Sequence, residues 1–196
     1  ALSGMDYELE LSAAMRLEFK AKPLTSFITL NVNSALTYAT SYNVLGLIPG
    51  LERPDEVVIY LAHWDHLGID TSLEGDQVFN GAKDNAAGIA SLIELAHLFK
   101  STANNQRSVL IMAVTAEESG LLGSYYYAKN PVVPLHQTVG AINLDMMNLD
   151  GKTRDVLVHG FGNSPLMDAA IHEAIVKKQG RVAKPFGRLE AGIAYR

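Results

Sequence analysis

The chain has 196 residues, enough for one domain with a real core, and its balance of 48% apolar to 19% charged residues is that of a globular protein. A formal charge of -5 without any Lys/Arg cluster gives no electrostatic footprint for nucleic acid. With no cysteine there are no disulfides and no thiolate zinc sites, so any metal must be held by His, Asp and Glu.

Residues 1–24 are a mixed opening in which 7–20 fits either a helix or a strand. Residues 27–32 alternate apolar and polar side chains and read as a strand. A second strand, 42–48, is stopped by Pro49-Gly50, and 52–55 is a polar turn. The continuous run Val57-Val58-Ile59-Tyr60-Leu61-Ala62 is that of a strand covered on both faces. A loop over 64–82 carries Gly68, Gly75 and Gly81. Residues 85–100 place Ile89, Leu92, Ile93, Ala96 and Phe99 at helical spacing. A buried strand follows at 108–115, a short helix at 121–129, and strands at 138–144 and 155–159. Ser164-Pro165 caps and opens a helix to about 178, which Gly180 ends.

Buried strands alternating with helices argue for an α/β sandwich around a largely parallel sheet, in a single domain without repeats or linkers. No apolar run reaches the roughly 20 residues of a membrane helix, and the opening Ala-Leu-Ser-Gly shows no signal-peptide pattern.

In open α/β sheets, sites form outside the carboxyl ends of the strands. His63 follows the first core strand, Glu117-Glu118 follow the second, Asp145 follows the third, and Asp84 lies at the mouth of the first helix. Each has an ordinary alternative. His63 is a strand-end histidine, Asp84 a helix cap, the glutamates a solvated first turn and Asp145 a turn residue. Four segments bringing hard or borderline donors to one edge favour a metal centre instead. His63 and Asp65, two apart in an extended segment, point the same way. That suits a metal-bound imidazole with a carboxylate behind it. Adjacent Glu117 and Glu118 point in different directions, which suits one metal ligand and one general base. Gly160-Phe161-Gly162 lacks the third glycine of a dinucleotide loop and is set aside.

Four stretches together carry a resemblance: Ala62-His63-Trp64-Asp65-His66-Leu67-Gly68, Asn80-Gly81-Ala82 through Asp84-Asn85-Ala86-Ala87-Gly88, Thr115-Ala116-Glu117-Glu118-Ser119-Gly120-Leu121-Leu122-Gly123-Ser124, and Asn143-Leu144-Asp145. They resemble the motifs of the M28 zinc peptidases, di-zinc aminopeptidases and related exopeptidases. The likeness runs from about residue 43 onward and is nearest to bacterial members with a protease-associated insert domain.

The resemblance implies the zinc exopeptidase fold: a three-layer sandwich with a mostly parallel mixed central sheet and helices on both faces. Residues 1–40 would re-enter the catalytic domain after the insert. His63 and Asp145 would bind one zinc, Asp84 would bridge two, Glu118 would bind the second, Glu117 would be the general base, and Asp65 would orient His63. The substrate would be a peptide or protein N-terminus, and the parent protein secreted or periplasmic.

The family's last ligand is a histidine in a Ser-Asp-His segment. The chain ends at Ala194-Tyr195-Arg196, where that segment would begin. His66 is not at a ligand position, and His159 is a poor substitute. The expectation is therefore a domain incomplete at its C-terminus, binding the second zinc weakly and turning over little. The alternatives are a single-zinc cyclase on the same fold and a non-catalytic peptidase-like binding domain.

Overall fold

A computed structural model describes residues 38–149, 151, 155–177 and 181–183. The strand expected at 27–32, the ambiguous 7–20 and the re-entry of 1–40 lie outside those residues. The chain divides into two units, Ala1–Ala39 and Thr40–Arg196, and every element below belongs to the second.

The central sheet has four strands, and two short strands intervene between them in chain order. β1 is Val44–Ile48 and β2 is Arg53–His63. β3 and β4 are the two-residue strands Gly68–Ile69 and Val78–Phe79. β5 is Arg107–Val114 and β6 is Thr138–Asn143. With those labels the sheet order is β1-β5-β2-β6. β1 is antiparallel to β5, while β5 and β6 flank β2 in parallel.

The apolar run of β2 is thus the centre of the sheet. Strand alternation divides its side chains between two faces. Ile59 and Leu61 join Leu110, Met112, Val114 and Tyr127 in the buried core on one face. Tyr127 belongs to α2, Leu122–Lys129. On the other face Tyr60 meets Phe99 of α1, Ala87–Thr102, with ring centroids 5.7 Å apart. Helices therefore cover both faces of a mixed, mostly parallel sheet, as the sequence predicts. Each fully buried Leu, Ile or Val of this core contributes about 1.5–3 kcal/mol relative to exposure.

Several boundaries differ from expectation. β2 begins at Arg53, within the expected polar turn, and accommodates the polar stretch by a register shift between Arg53 and Val57. The expected loop over 64–82 contains the antiparallel pair β3–β4, with Gly68 opposite Phe79 and Ile69 opposite Val78. Strands this short leave no periodicity to read. The strand expected at 155–159 is β7, Asp155–Leu157. Among the described residues it pairs in parallel with β8, Arg181–Ala183, in a separate two-stranded sheet.

α3, Pro165–Lys177, begins as expected: Ser164 Oγ accepts from the Met167 N–H at 3.4 Å. Met167 then lies against β6 at Gly140, where an added Cβ would stand 3.1 Å from its sulfur. Among the described residues no helix is long and apolar enough to cross a membrane.

Candidate metal centre

β2 ends at His63, whose side chain is 2% exposed. Its Nε2 stands 3.1 Å from Asp84 Oδ1 and 3.5 Å from Asp145 Oδ1. Donors arranged tetrahedrally around zinc at about 2.0–2.1 Å lie roughly 3.3 Å apart, so this spacing fits a zinc-sized ion. Asp84 and Asp145 are only partly exposed, and one nitrogen with two carboxylates is a donor set that borderline cations take. The three form one group of potential ligand atoms within 4.8 Å of each other, and His66, Asp84 and Glu118 form another. Asp84 belongs to both.

The local chain explains how each donor arrives. Asp84 sits in the irregular turn Ala82–Ala86, with a cis peptide bond to Asn85, rather than capping a helix. Asn85 is 2% exposed; its Oδ1 accepts from the Gly88 N–H at 3.0 Å and its Nδ2 donates to the Leu144 carbonyl at 2.9 Å. One buried amide thus ties the start of α1 to the residue before Asp145. A Cβ on Gly88 would stand 2.3 Å from Asn85 Oδ1 and 2.4 Å from the Leu144 oxygen, so a side chain at this position would displace the link.

Glu117 and Glu118 lie in a tight turn between β5 and α2 rather than in a helical first turn. Ala116, Gly120 and Leu121 all have positive φ, and the Glu117 carbonyl accepts from the N–H groups of Gly120 and Leu121. Asp65 holds that turn. Its Oδ1 accepts from the Glu117 N–H at 3.0 Å and its Oδ2 from the Glu118 N–H at 3.2 Å.

This differs from the role expected of Asp65. Its carboxylate is 3.7 Å from His63 Nδ1, whereas its main-chain carbonyl is 2.9 Å away and accepts from that nitrogen. The carbonyl thereby leaves Nε2 free to face Asp84 and Asp145. Asp65 does stand behind His63, but its backbone fixes the tautomer and its side chain orders the glutamates.

The electrostatics follow from crowding. Burial pushes the His63 imidazole down, but the Asp65 carbonyl and the charges of Asp145, Glu117 and Asp65 outweigh it, and its pKa lies above the usual histidine value. Burial pushes Glu117 up; His63 opposes this, while Asp145, Glu118 and Asp65 add to it, so its carboxyl sits above the usual range. Such a carboxylate is a stronger base than a free one.

The residue that sequence reasoning set aside is His66. Its Nδ1 lies 2.8 Å from Glu118 Oε1. Its place three residues past His63, beyond the strand end, offered no periodicity from which to infer a direction. His159 is exposed and stands in neither group of donors.

Comparison with known proteins agrees with this geometry. The family model for peptidase family M28 matches residues 43–194. Aminopeptidase NAALADL1 of Mus musculus is 33% identical over 130 residues, covering 63% of this chain and 16% of the mouse protein. A probable zinc metalloprotease of Pyricularia oryzae is 32% identical over 106 residues, covering 54% of this chain and 20% of the fungal protein. The chain thus spans less than a quarter of these curated relatives. The crystal structure of a leucine aminopeptidase precursor from Bacteroides thetaiotaomicron superposes with a TM-score of 0.57 at 20% identity, covering 74% of this chain and 57% of that one, a likeness of fold. With its sheet, its converging donors and a family match spanning most of its length, the chain belongs to peptidase family M28.

Proposed function

We propose that this chain is the catalytic domain of a zinc-dependent aminopeptidase that removes residues from peptide N-termini. The observation that carries the reading is Asp84, shared between two adjacent groups of donors. A carboxylate with two oxygens suits a bridge between two cations, and the relatives named as aminopeptidase and zinc metalloprotease support zinc as the metal. In this reading His63 and Asp145 would hold one ion, Glu118 would bind the other, and Asp84 would serve both. Zinc in such a site would supply a Lewis acid for a carbonyl and would lower the pKa of water toward about 7.

Glu117 takes the proton of the attacking water and returns it to the leaving amine. In the metal-free chain burial and the neighbouring acids raise its pKa, which makes the carboxylate the better proton acceptor. Asp65 keeps Glu117 in place by accepting its backbone N–H. The same reading makes residues 1–40 the segment that re-enters the domain after an insert and makes the parent protein an exported one.

Zinc titration calorimetry and an aminoacyl-anilide assay test the proposal. His63→Ala is expected to abolish one zinc-binding event. Glu117→Gln is expected to bind zinc as the wild type does while losing about 100-fold or more of zinc-dependent turnover. Zinc binding indifferent to His63→Ala, or wild-type turnover by Glu117→Gln, would overturn it.

A further inference from the structure

We infer that His66 is a positioning residue: it fixes the Glu118 carboxylate by a hydrogen bond and so sets the approach of Glu118 to Asp84. The inference rests on the two-metal reading above and concerns the hold on a ligand, not an added ligand.

His66 Nδ1 lies 2.8 Å from Glu118 Oε1, across 52 positions of sequence. A carboxylate only accepts, so the ring proton sits on Nδ1 and that nitrogen is committed to Glu118. Ligands around one zinc stand roughly 3.3 Å apart, so the pair has the spacing of donor and acceptor, not of two ligands. One oxygen of Glu118 is thereby occupied and Oε2 is left for an ion.

Two neighbours in sequence hold Glu118 at both ends. Asp65 Oδ2 accepts from its N–H at 3.2 Å, and His66 donates to its carboxylate. A glutamate tied at its backbone and at its tip keeps few of its rotamers. Ligating carboxylates are commonly ordered in this way by a further hydrogen bond.

The ring is fixed in turn by the segment that carries Asp84. Gly81 precedes the turn Ala82–Ala86 with a φ of 65°, and a Cβ there would lie 3.0 Å from His66 Cβ and 3.1 Å from its Cγ. The same Cβ would lie 3.0 Å from the Asp84 carbonyl oxygen. That angle and that closeness suit a residue without a side chain. Phe79 meets the ring edge-on with centroids 6.3 Å apart. His66 therefore rests on the Asp84 turn and reaches Glu118, as Asn85 links the same turn to the residue before Asp145. The side chains of His66 and Glu118 are 21% and 22% exposed, and a pair so open to water contributes little to stability. Its removal should be read in zinc affinity, not in melting.

Two variants and one spectrum test the inference. His66→Phe keeps a ring against Gly81 and Phe79 but removes the donor. His66→Asn keeps a side-chain N–H near the place of Nδ1 and offers zinc no imidazole nitrogen. Bound zinc is counted by equilibrium dialysis with elemental analysis, and the event that survives His63→Ala is the one read. Metal-free melting curves check that each variant folds. Long-range nitrogen–proton NMR correlations of the wild-type chain show which ring nitrogen of His66 carries the proton, before and after zinc is added.

The wild-type chain should bind two ions. His66→Phe should weaken the ion that survives His63→Ala by about 10–100-fold while melting like the wild type, and His66→Asn should restore most of that affinity. The spectrum should place the proton on Nδ1 and leave Nε2 unmoved as zinc fills the site. Wild-type affinity in His66→Phe, no rescue by His66→Asn, a proton on Nε2, or an Nε2 that shifts as a metal-bound nitrogen each overturns the inference while the two-metal reading stands. If His66→Phe does not fold, the spectrum decides alone. A wild-type chain that binds fewer than two ions overturns both.

Discussion

Truncating Asn85 to alanine should damage the fold and the metal centre together. The side chain is 2% exposed and makes two hydrogen bonds, from Gly88 N–H to Oδ1 at 3.0 Å and from Nδ2 to the Leu144 carbonyl at 2.9 Å. The first satisfies an N–H of the opening turn of α1, which has no partner within the helix, and losing such a cap costs about 0.5–2 kcal/mol. The second is worth about 0.5–1.5 kcal/mol net, and the Leu144 carbonyl left without its partner adds part of a desolvation penalty of about 1–3 kcal/mol. The sum expected for Asn85→Ala is therefore about 2–4 kcal/mol. In a chain of this size that is a fall in melting temperature of roughly 4–16 °C.

Urea denaturation of the metal-free protein measures that loss. The same amide fixes the approach of Asp84 to Asp145, one residue away on either side of its two bonds. Zinc affinity should therefore fall by about 10–100-fold, the usual effect of removing a group that orients a ligand. Asn85→Asp sharpens the test. It keeps the acceptor for Gly88 but sets an oxygen against the Leu144 carbonyl, so it should destabilise through the second bond alone or through a buried charge. An Asn85→Ala protein within about 0.5 kcal/mol of the wild type, binding zinc as tightly, would refute the idea that this cross-link holds the centre.

Asp65→Ala removes the acceptor of the Glu117 and Glu118 N–H groups, two charge-assisted bonds, and should cost about 2–4 kcal/mol by urea denaturation while lowering turnover as Glu117 loses its position. Nuclear magnetic resonance of the metal-free chain should show His63 titrating above the ordinary histidine value of about 6.5. The sign follows from the raised folded-state value: protonated His63 stabilises the fold below that ordinary value, and this contribution disappears as pH rises through the folded-state midpoint. Zinc needs the neutral ring, so its affinity should climb over the same interval. A His63 midpoint at or below the ordinary value would show that burial, not the surrounding acids and carbonyl, governs the site.

Much of the frame was legible because single effects dominate it. The unbroken apolar run of β2 and the helical spacing of Ile89, Leu92 and Phe99 each announce burial, and the structure has β2 central and α1 at Ala87–Thr102. The approach of His63 and Asp145 was legible because strand ends share an edge whatever the loops do, and Asp84 joins them from the turn before α1. What stayed hidden depends on loop geometry. Asp65 receives N–H groups from residues 52 and 53 positions away, and no spacing in the sequence encodes that reach. Asn85 looked like part of a helix start, yet its amide spans to Leu144. His66 meets Glu118 across 52 positions of sequence, with Gly81 packed against its side chain.

These hidden contacts have a common logic. The site gathers Asp84, Glu117, Glu118 and Asp145 around one or two imidazoles, and like charges so placed repel one another. Side chains alone would drift apart. They are held by bonds to the main chain that join segments distant in sequence: Asn85 to Leu144, Asp65 to the Glu117–Glu118 turn, and Asn43, whose Oδ1 accepts from Thr115 N–H while its Nδ2 donates to the Gly123 carbonyl. The framework therefore carries the repulsion before any ion arrives, and a bound dication relieves it. Metal binding should then stabilise this chain by more than contacts alone suggest, and loosening any one of the three ties should weaken zinc affinity before it abolishes the fold.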